Sequence, residues 1–438
     1  RSRDDVRDVA AGAALMWTAT RELSVFAPIA DRPTLETRLA AIDAALDKEV
    51  QPTEPFSPAA MPDTHFMRFV IIPDAELGDL LAWEVNYDGE LEPWLELVAE
   101  VAGIDRIFEC CVAYPGTRRR DDWVAWMLEH RICAAAFYCA YPGVPRSEIV
   151  NDLAVRQKLR ELADAHRSGL ESLPPHEIQR RLYDGVAADA KLKSSVILDE
   201  DVRWFLSRVL ALIAAVIVFP FLLAIVLVWW LWALLAAERK DEVAPEPQHA
   251  VHTAAELAAL EDKIRQNQLT HVVDIKPGVF RAFTLWTVLH VIGVLAGVFY
   301  VDGHLGGITS IHFARWVIVR DRRDVPRAQR RDRLVFFSNY DGSWESYLGE
   351  FIDRAAMGLT AIWSSTEGFP KTKLLMFQGA TDEERFKQWT RDHQLVTQMW
   401  WSGVRESTVQ NVRDDIWLRR RLAAALDDDE RALWLRKL

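Results

Sequence analysis

The stretch THFMRFVI at residues 64–71 returns later in the chain as IHFARWVI at residues 311–318. The tetrapeptide NYDG shows the same behaviour, at residues 86–89 and again at residues 339–342. Further matches keep this order: His130 pairs with His393 and Ser147 with Ser407. The separations change little, from 247 to 253, 263 and 260 residues. Motifs that recur in one order at nearly constant spacing are typical of an internal duplication, and we therefore predict two copies of one domain.

The pattern of β-rich and amphipathic segments predicts the same fold in both copies. In the first copy the segments are Arg21–Ala27, Thr34–Leu46, Thr64–Ile72, Leu80–Asn86, Glu90–Ala102 and Arg106–Ala113. In the second copy they are His271–Lys276, Phe280–Tyr300, Ser310–Val319, Leu334–Asn339, Ser343–Ala356 and Leu359–Ser364. The order β-α-β-β-α-β is that of a ferredoxin-like unit. The predicted class is α+β, with tandem ferredoxin-like domains at residues 15–165 and 263–428.

Each copy is expected to continue beyond this unit with a helix, a further strand and a final helix. The further strand is predicted at Cys133–Tyr138 in the first copy and at Leu395–Trp401 in the second, with the final helices starting at Ser147 and Ser407.

A long apolar segment lies in the predicted linker, residues 166–262. Residues 209–237 contain no charged side chain, and Trp204, Phe205 and Leu206 extend the segment on its amino side. More than about 18 consecutive apolar residues indicate a membrane helix, and tryptophans near one end are typical of the membrane interface. We therefore predict that residues 204–237 contact a bilayer.

The duplication bears on how this segment meets the membrane. If the two copies pack together, both lie on one side of the bilayer, and the linker enters and leaves by the same face. Pro220 divides the segment into two arms of roughly 24 Å each at 1.5 Å per residue, which favours a helical hairpin that dips into one leaflet. Basic residues on both flanks favour cytoplasmic ends. One tilted helix that separates the copies is the alternative.

Residues 283–300 form a second apolar run. A crossing there would separate a strand from its own sheet, so we expect a buried or membrane-facing helix.

Composition limits the classes of partner. The net charge of −12 is spread along the chain and leaves no basic face, so a nucleic-acid partner is not expected. All four cysteines fall in the first copy and lack metal-binding spacing, which favours reduced thiols in a cytoplasmic domain. We expect a protein of the bacterial inner membrane with its domains on the cytoplasmic side.

The second copy resembles a known family. Gly306-Gly307-Ile308, the IHFARWVIV strand and the block FFSNYDGSWESYL are similar to a family of bacterial proteins of the dimeric α+β barrel superfamily. That superfamily includes haem enzymes similar to dye-decolourising peroxidases and chlorite dismutases. The resemblance implies two ferredoxin-like sheets that face each other around a pocket, with haem as the implied cofactor. We expect the pocket to accept an apolar or membrane-derived small molecule.

The resemblance and the repeats select the candidate site residues. His312 is the candidate haem and metal ligand, with His65 as its counterpart, and the candidate catalytic residues are Asp341, Arg315 and Tyr340. The peroxidase motif G-x-x-D-G is incomplete here because its first glycine is absent. On a regular strand the histidine and the arginine three residues on point to opposite faces, so both cannot line one pocket.

Structural roles compete with each of these assignments. A hydrogen-bonded core histidine accounts for His65 and His312, and a helix-capping aspartate accounts for Asp341 and its counterpart Asp88. Two functions follow as expectations. One is a membrane-associated haem-dependent oxidoreductase, and the other is a non-catalytic binding or scaffold subunit of a membrane complex.

Overall fold

The computed structural model describes residues 20–48, 55–74, 78–170, 173–189, 192, 220–241, 254–261, 263, 265–299, 303–321 and 331–438. Within these ranges the protein is α+β, with antiparallel sheets covered by helices. Below, the first half means the described residues up to 192 and the second half those from 254 onward. The amino arm of the apolar segment, residues 204–219, and the chain start at residues 15–19 lie outside the described residues.

The first half supplies four strands and seven helices among its described residues. The strands are β1 (Thr20–Pro28), β2 (Thr64–Ile72), β3 (Leu80–Asp88) and β4 (Ala136–Cys139). The helices are α1 (Arg32–Lys48), α2 (Leu91–Val98), α3 (Ile104–Phe108), α4 (Arg120–Glu129), α5 (Arg146–Ala165), α6 (Arg167–Leu170) and α7 (Pro175–Ala187).

The apolar helix α8 (Pro220–Glu238) links this half to the second. The strands that follow are β5 (Gln266–Asp274), β6 (Ile311–Val319), β7 (Arg333–Asp341), β8 (Thr372–Lys373), β9 (Phe377–Gln378) and β10 (Met399–Ser402). The helices are α9 (Ala254–Glu261), α10 (Val279–Phe299), α11 (Trp344–Trp363), α12 (Glu383–Asp392), α13 (Val409–Leu422) and α14 (Asp428–Lys437).

Two four-stranded antiparallel sheets with matching registers form the centre of the molecule. The first sheet has the order β1-β3-β2-β10 and the second the order β5-β7-β6-β4. Thr20 lies opposite Asp88 in the first sheet, and Gln266 lies opposite Asp341 in the second. Both sheets also carry a β-bulge at the histidine of the repeated motif. The matching motifs therefore occupy matching positions in the two sheets.

The halves are joined by an exchange of their short strands. Strand β10 of the second half pairs with β2, so that Trp400 lies opposite Arg68. Strand β4 of the first half pairs with β6, so that Phe137 lies opposite Arg315. Each half thus completes the sheet of the other, and neither sheet has its four strands without both halves.

The last predicted strand of each ferredoxin-like unit is not a strand in the structure. Leu359–Ser364 was expected to be a strand, but residues up to Trp363 belong to helix α11. Arg106–Ala113 was also expected to be a strand, but it begins in helix α3 and contributes only an isolated bridge between Cys111 and Ile29. In each half this segment contacts the edge of the first strand only through an isolated bridge, Ile29 with Cys111 and Ile275 with Thr366. Local β-propensity is therefore overridden there by the tertiary context.

Apolar side chains fill three layers of the molecule. One core lies under the helices of the first sheet and a second under those of the second sheet. A third lies between the sheets and contains Phe26, Val70, Ile72, Ala82, Val317, Val319, Val335 and Phe337. At about 1.5–3 kcal/mol for each large apolar side chain fully buried, this last core favours close packing of the two sheets.

The apolar helices contact one another on the outside of the second sheet. Helix α10 buries Leu285 and Leu289 against that sheet, as expected for a buried or membrane-facing helix. Its segment Val279–Gly297 is also long and apolar enough to cross a membrane, and 28% of that window is buried. Helix α8 packs on α10 through Trp230, whose indole Nε1 donates to Thr284 Oγ1 over 3.1 Å.

Candidate functional site

The repeated histidine and aspartate contact each other in both halves. His65 Nε2 lies 2.8 Å from Asp88 Oδ1, and His312 Nε2 lies 2.8 Å from Asp341 Oδ1. Both imidazoles are completely buried. Each aspartate is the last residue of a central strand, and each histidine lies in the bulge of the neighbouring strand. The spacing of the two motifs therefore produces the same pair twice.

The second oxygen of each aspartate accepts a hydrogen bond from the start of a distant helix. Asp88 Oδ2 accepts from the backbone N–H of Arg146 over 2.7 Å, and Asp341 Oδ2 accepts from that of Val409 over 2.7 Å. These residues begin α5 and α13, where unpaired N–H groups favour a carboxylate. Each aspartate thus ties a strand end, a buried histidine and a helix start together.

This geometry corrects the expected capping role. The sequence predicted that each aspartate caps the helix directly after it, whereas it contacts the final helix of its half. Helix α11 is capped instead by Ser343, whose side chain accepts from the N–H of Ser346. The sequence identified the capping chemistry but not the helix, because the contact spans 58 residues in one half and 68 in the other.

The two histidines differ in their second ring nitrogen. The hydroxyl of Tyr141 lies 3.0 Å from His312 Nδ1. Burial raises the pKa of Tyr141 well above its usual value, so its hydroxyl stays protonated. His65 Nδ1 lacks a hydrogen-bond partner among the described residues. The residue at the position of Tyr141 in the second half is Val404, which has no hydroxyl to offer.

His312 and Arg315 both contact the opposite sheet. The His312 ring lies 5.1 Å from that of Phe66, and Arg315 Nη1 donates to the carbonyl of Leu23 over 2.8 Å. The expectation that they point to opposite faces is therefore wrong. A bulge places two residues opposite one and resets the alternation of side chains, and this bulge lies between Ile311 and Phe313.

The two repeated arginines cross between the sheets. Arg68 Nη2 donates to the carbonyl of Ser338 over 2.8 Å, and Arg315 Nη2 donates to that of Val85 over 2.9 Å. Between them lies Glu84, with Oε2 2.8 Å from Arg68 Nε and Oε1 2.7 Å from Arg315 Nη2. Burial lowers the pKa of Arg68, while the charge of Glu84 opposes that change. A buried carboxylate shared by two cations offsets part of the cost of removing them from water.

Tyr340, the third predicted catalytic residue, packs in the core. Its ring stacks on Tyr347 at 3.8 Å, and Tyr87 stacks on Trp94 at 4.3 Å in the corresponding place of the first half. Burial raises the pKa of Tyr87 to about 12. The structure thus brings His312, Asp341 and Tyr340 into one region, where His312 and Tyr340 are buried and Asp341 is partly exposed.

The fit of a haem can be judged from the predicted ligands. An axial histidine needs one ring nitrogen free to bind iron, and both nitrogens of His312 have protein partners. His65 Nδ1 has no hydrogen-bond partner in the part of the chain that the structure describes, but its ring is packed between Tyr141 and Phe313. In this arrangement neither histidine fits the role of axial ligand. The described residues also contain no group of three or more His, Cys, Asp or Glu side chains placed to hold a metal ion.

Sequence reasoning missed two buried polar residues that distinguish the halves. Glu84 was not selected, although a carboxylate within an otherwise apolar strand is a recognisable signal. His271 lies in β5, is 1% exposed, and both its ring nitrogens lack hydrogen-bond partners within the described residues. It borders a small cavity lined by aromatic side chains, among them Trp363 and Trp389. Burial lowers its pKa well below the usual 6.5.

One outer surface of the second half exposes large apolar side chains on three adjoining elements. We call this surface the apolar face. Helix α8 contributes Leu227, Val228, Trp229, Leu231, Trp232 and Leu235, and α10 contributes Val279, Phe283, Trp286 and Val291. The hairpin of β8 and β9 contributes Leu374, Met376 and Phe377. Soluble monomers rarely expose a continuous apolar patch of this kind, so the face indicates an interaction surface.

Comparisons of the chain with models of protein families, with curated proteins and with solved structures find no match. The contacts of the described residues are therefore the basis for assigning a function.

Proposed function

We propose that this protein is a scaffold of the bacterial inner membrane, held on the cytoplasmic leaflet by its apolar face. The observation that carries the proposal is the size and continuity of that face. Trp229 on α8 and Phe280 on α10 are in ring contact at 6.4 Å, and Phe283 stacks on Trp286 at 6.3 Å. Aromatic side chains on an exposed apolar surface are typical of the membrane interface.

The exchanged strands support an arrangement on one side of the membrane. Because each sheet contains a strand from both halves, the halves cannot be separated by a bilayer without losing β4 and β10 from their sheets. A linker that enters and leaves by the same face satisfies this condition, and a single tilted span does not. The repeated registers likewise support the proposal that the halves are duplicated ferredoxin-like units arranged as a dimeric α+β barrel.

A non-catalytic role fits the interior better than a catalytic one. The space between the sheets holds the two arginines, Glu84 and a layer of apolar side chains. The repeated aspartates contact the histidines and the starts of α5 and α13, and the repeated arginines donate to carbonyls of the opposite sheet. A haem-dependent oxidoreductase acting on an apolar small molecule stays a prediction of the sequence. A Soret band in protein expressed with ample haem precursor, lost on His312→Ala, would support it against the scaffold.

The scaffold proposal is tested by changing the exposed side of α8. Leu227, Val228, Trp229 and Trp232 are replaced together by glutamine, which leaves the buried contacts of Trp230 and Leu234 in place. The wild-type protein is expected in the membrane fraction after washing with high salt, and the variant in the supernatant. The matched control replaces Leu97 and Val150, which are exposed elsewhere, and is expected to stay with the membrane. A variant that stays membrane-bound would refute anchoring by this face.

A further inference from the structure

We propose that the hairpin of β8 and β9 inserts into an anionic lipid leaflet beside α8. The inference rests on the proposed membrane location and specifies that the hairpin part of the apolar face enters the leaflet, together with the lipid charge that it recognises. The hairpin, residues 371–378, has the sequence KTKLLMFQ. It exposes Leu374, Met376 and Phe377 by 36%, 44% and 48%, values that are unusual for large apolar side chains in a short surface turn.

The backbone of the turn is unfavourable for the residues it contains. Leu374, Leu375 and Gln378 have φ values of +53°, +66° and +64°. Such left-handed conformations favour glycine or asparagine and are strained for other residues. Large apolar side chains at a turn that glycine would form more easily indicate that the side chains have a role, and transfer of them to lipid would offset the cost.

A buried carboxylate ties the hairpin to the apolar helix. Glu238, the last residue of α8, accepts hydrogen bonds from the backbone N–H groups of Leu374 at 3.0 Å and Leu375 at 2.8 Å. Its side chain also accepts from Thr372 Oγ1 at 3.2 Å, and Leu375 packs against Leu234. The hairpin is therefore held at the carboxyl end of α8, where a helix leaving the leaflet would reach the headgroups.

Exposed cations surround this position. Lys371 and Lys373 directly precede the apolar turn, and Arg239 and Lys240 directly follow Glu238. Cations beside an apolar insertion are attracted to anionic headgroups, by roughly fivefold in the binding equilibrium for each lysine near the surface. Apolar residues at the tip with lysines at the base fit an anionic leaflet rather than a protein groove.

The test measures the depth of the hairpin in the full-length protein. In a background without the four native cysteines, Phe377→Cys carries an environment-sensitive fluorophore. The protein is reconstituted in phosphatidylcholine vesicles, with or without phosphatidylserine, that contain lipids brominated on the acyl chains. Labels at Trp232→Cys on α8 and at Asp121→Cys on α4 are the reference positions.

The expected result is quenching at position 377 that increases with phosphatidylserine, quenching at position 232, and none at position 121. When Lys371 and Lys373 are both replaced by glutamate, quenching at position 377 should no longer increase with phosphatidylserine. Quenching at 232 without quenching at 377 would overturn the hairpin inference and leave the proposed anchoring intact. Absence of quenching at both positions would overturn both proposals.

Discussion

Helices α1 and α10 occupy the same place in the two halves, between the first and second strands of each sheet, yet their outer surfaces differ. Helix α1 carries charged residues along its exposed side, including Arg32 and Glu36, which form an ion pair at 2.7 Å. Helix α10 exposes Val279, Phe283 and Trp286 instead. One fold position thus exposes charged side chains in the first half and large apolar side chains in the second.

The interior shows the opposite relationship. Each half keeps a histidine paired with an aspartate, a helix start held by that aspartate, and an arginine that reaches the other sheet. What the halves share holds the fold together. The halves also differ in Glu84 and His271, which are buried within the structural frame, and in the apolar face, which lies on the outside.

The largest effect is expected from removing an arginine shared by the sheets. Arg315→Ala leaves Glu84 with only Arg68 for compensation, and loss of one member of a buried ion pair costs about 3–5 kcal/mol. The free energy of unfolding, measured by urea titration of the purified protein, should fall by that amount. Arg385→Ala removes only an exposed cation beside Asp382 and should change the free energy of unfolding by less than about 0.5 kcal/mol. Equal losses for the two variants would show that the arginine layer does not join the halves.

A smaller effect is expected at the two aspartates, and it should be the same in both halves. Asp88→Asn and Asp341→Asn each place an amide where a carboxylate accepts from a histidine and a helix N–H. We expect each to cost about 1–3 kcal/mol of unfolding free energy in the same titration. A large loss at one position and none at the other would contradict equivalent structural roles, and would support a separate function for Asp341.

The pH dependence of stability should include a contribution from His271 that the first half lacks, because the counterpart of His271 there is Val25. Burial keeps His271 neutral in the folded protein, whereas the unfolded chain binds a proton below its ordinary pKa of 6.5. Stability from this residue is therefore lost as pH falls below that value, by about 1.4 kcal/mol between about pH 7.5 and pH 5.5. His271→Val should remove this part of the dependence, as measured by the difference between urea titrations of the two proteins. If the two proteins differ in unfolding free energy by the same amount at both pH values, His271 binds a proton as readily in the folded protein as in the unfolded chain.

Much of the secondary structure and the central pairing was predictable from the sequence. The strands around His65 and His312 follow from their β-rich patterns, and the two NYDG motifs marked the ends of their neighbours. The exchange of β4 and β10 was not predictable, because a four-residue strand carries no local signal of its partner. The contacts of Asp88 and Asp341 with α5 and α13 were missed for the same reason. The bulges were missed because a repeated histidine reads as a regular strand position.

We propose that the interlocked halves lie on one face of the membrane. The direct test of this proposal places single cysteines at matching exposed positions, Asp121→Cys in α4 and Glu384→Cys in α12, in a background without the native cysteines. Sealed inner-membrane vesicles of known orientation are then treated with a membrane-impermeant thiol reagent. We expect both positions to be labelled in inside-out vesicles and neither position to be labelled in right-side-out vesicles. Labelling of the two positions from opposite sides would contradict it.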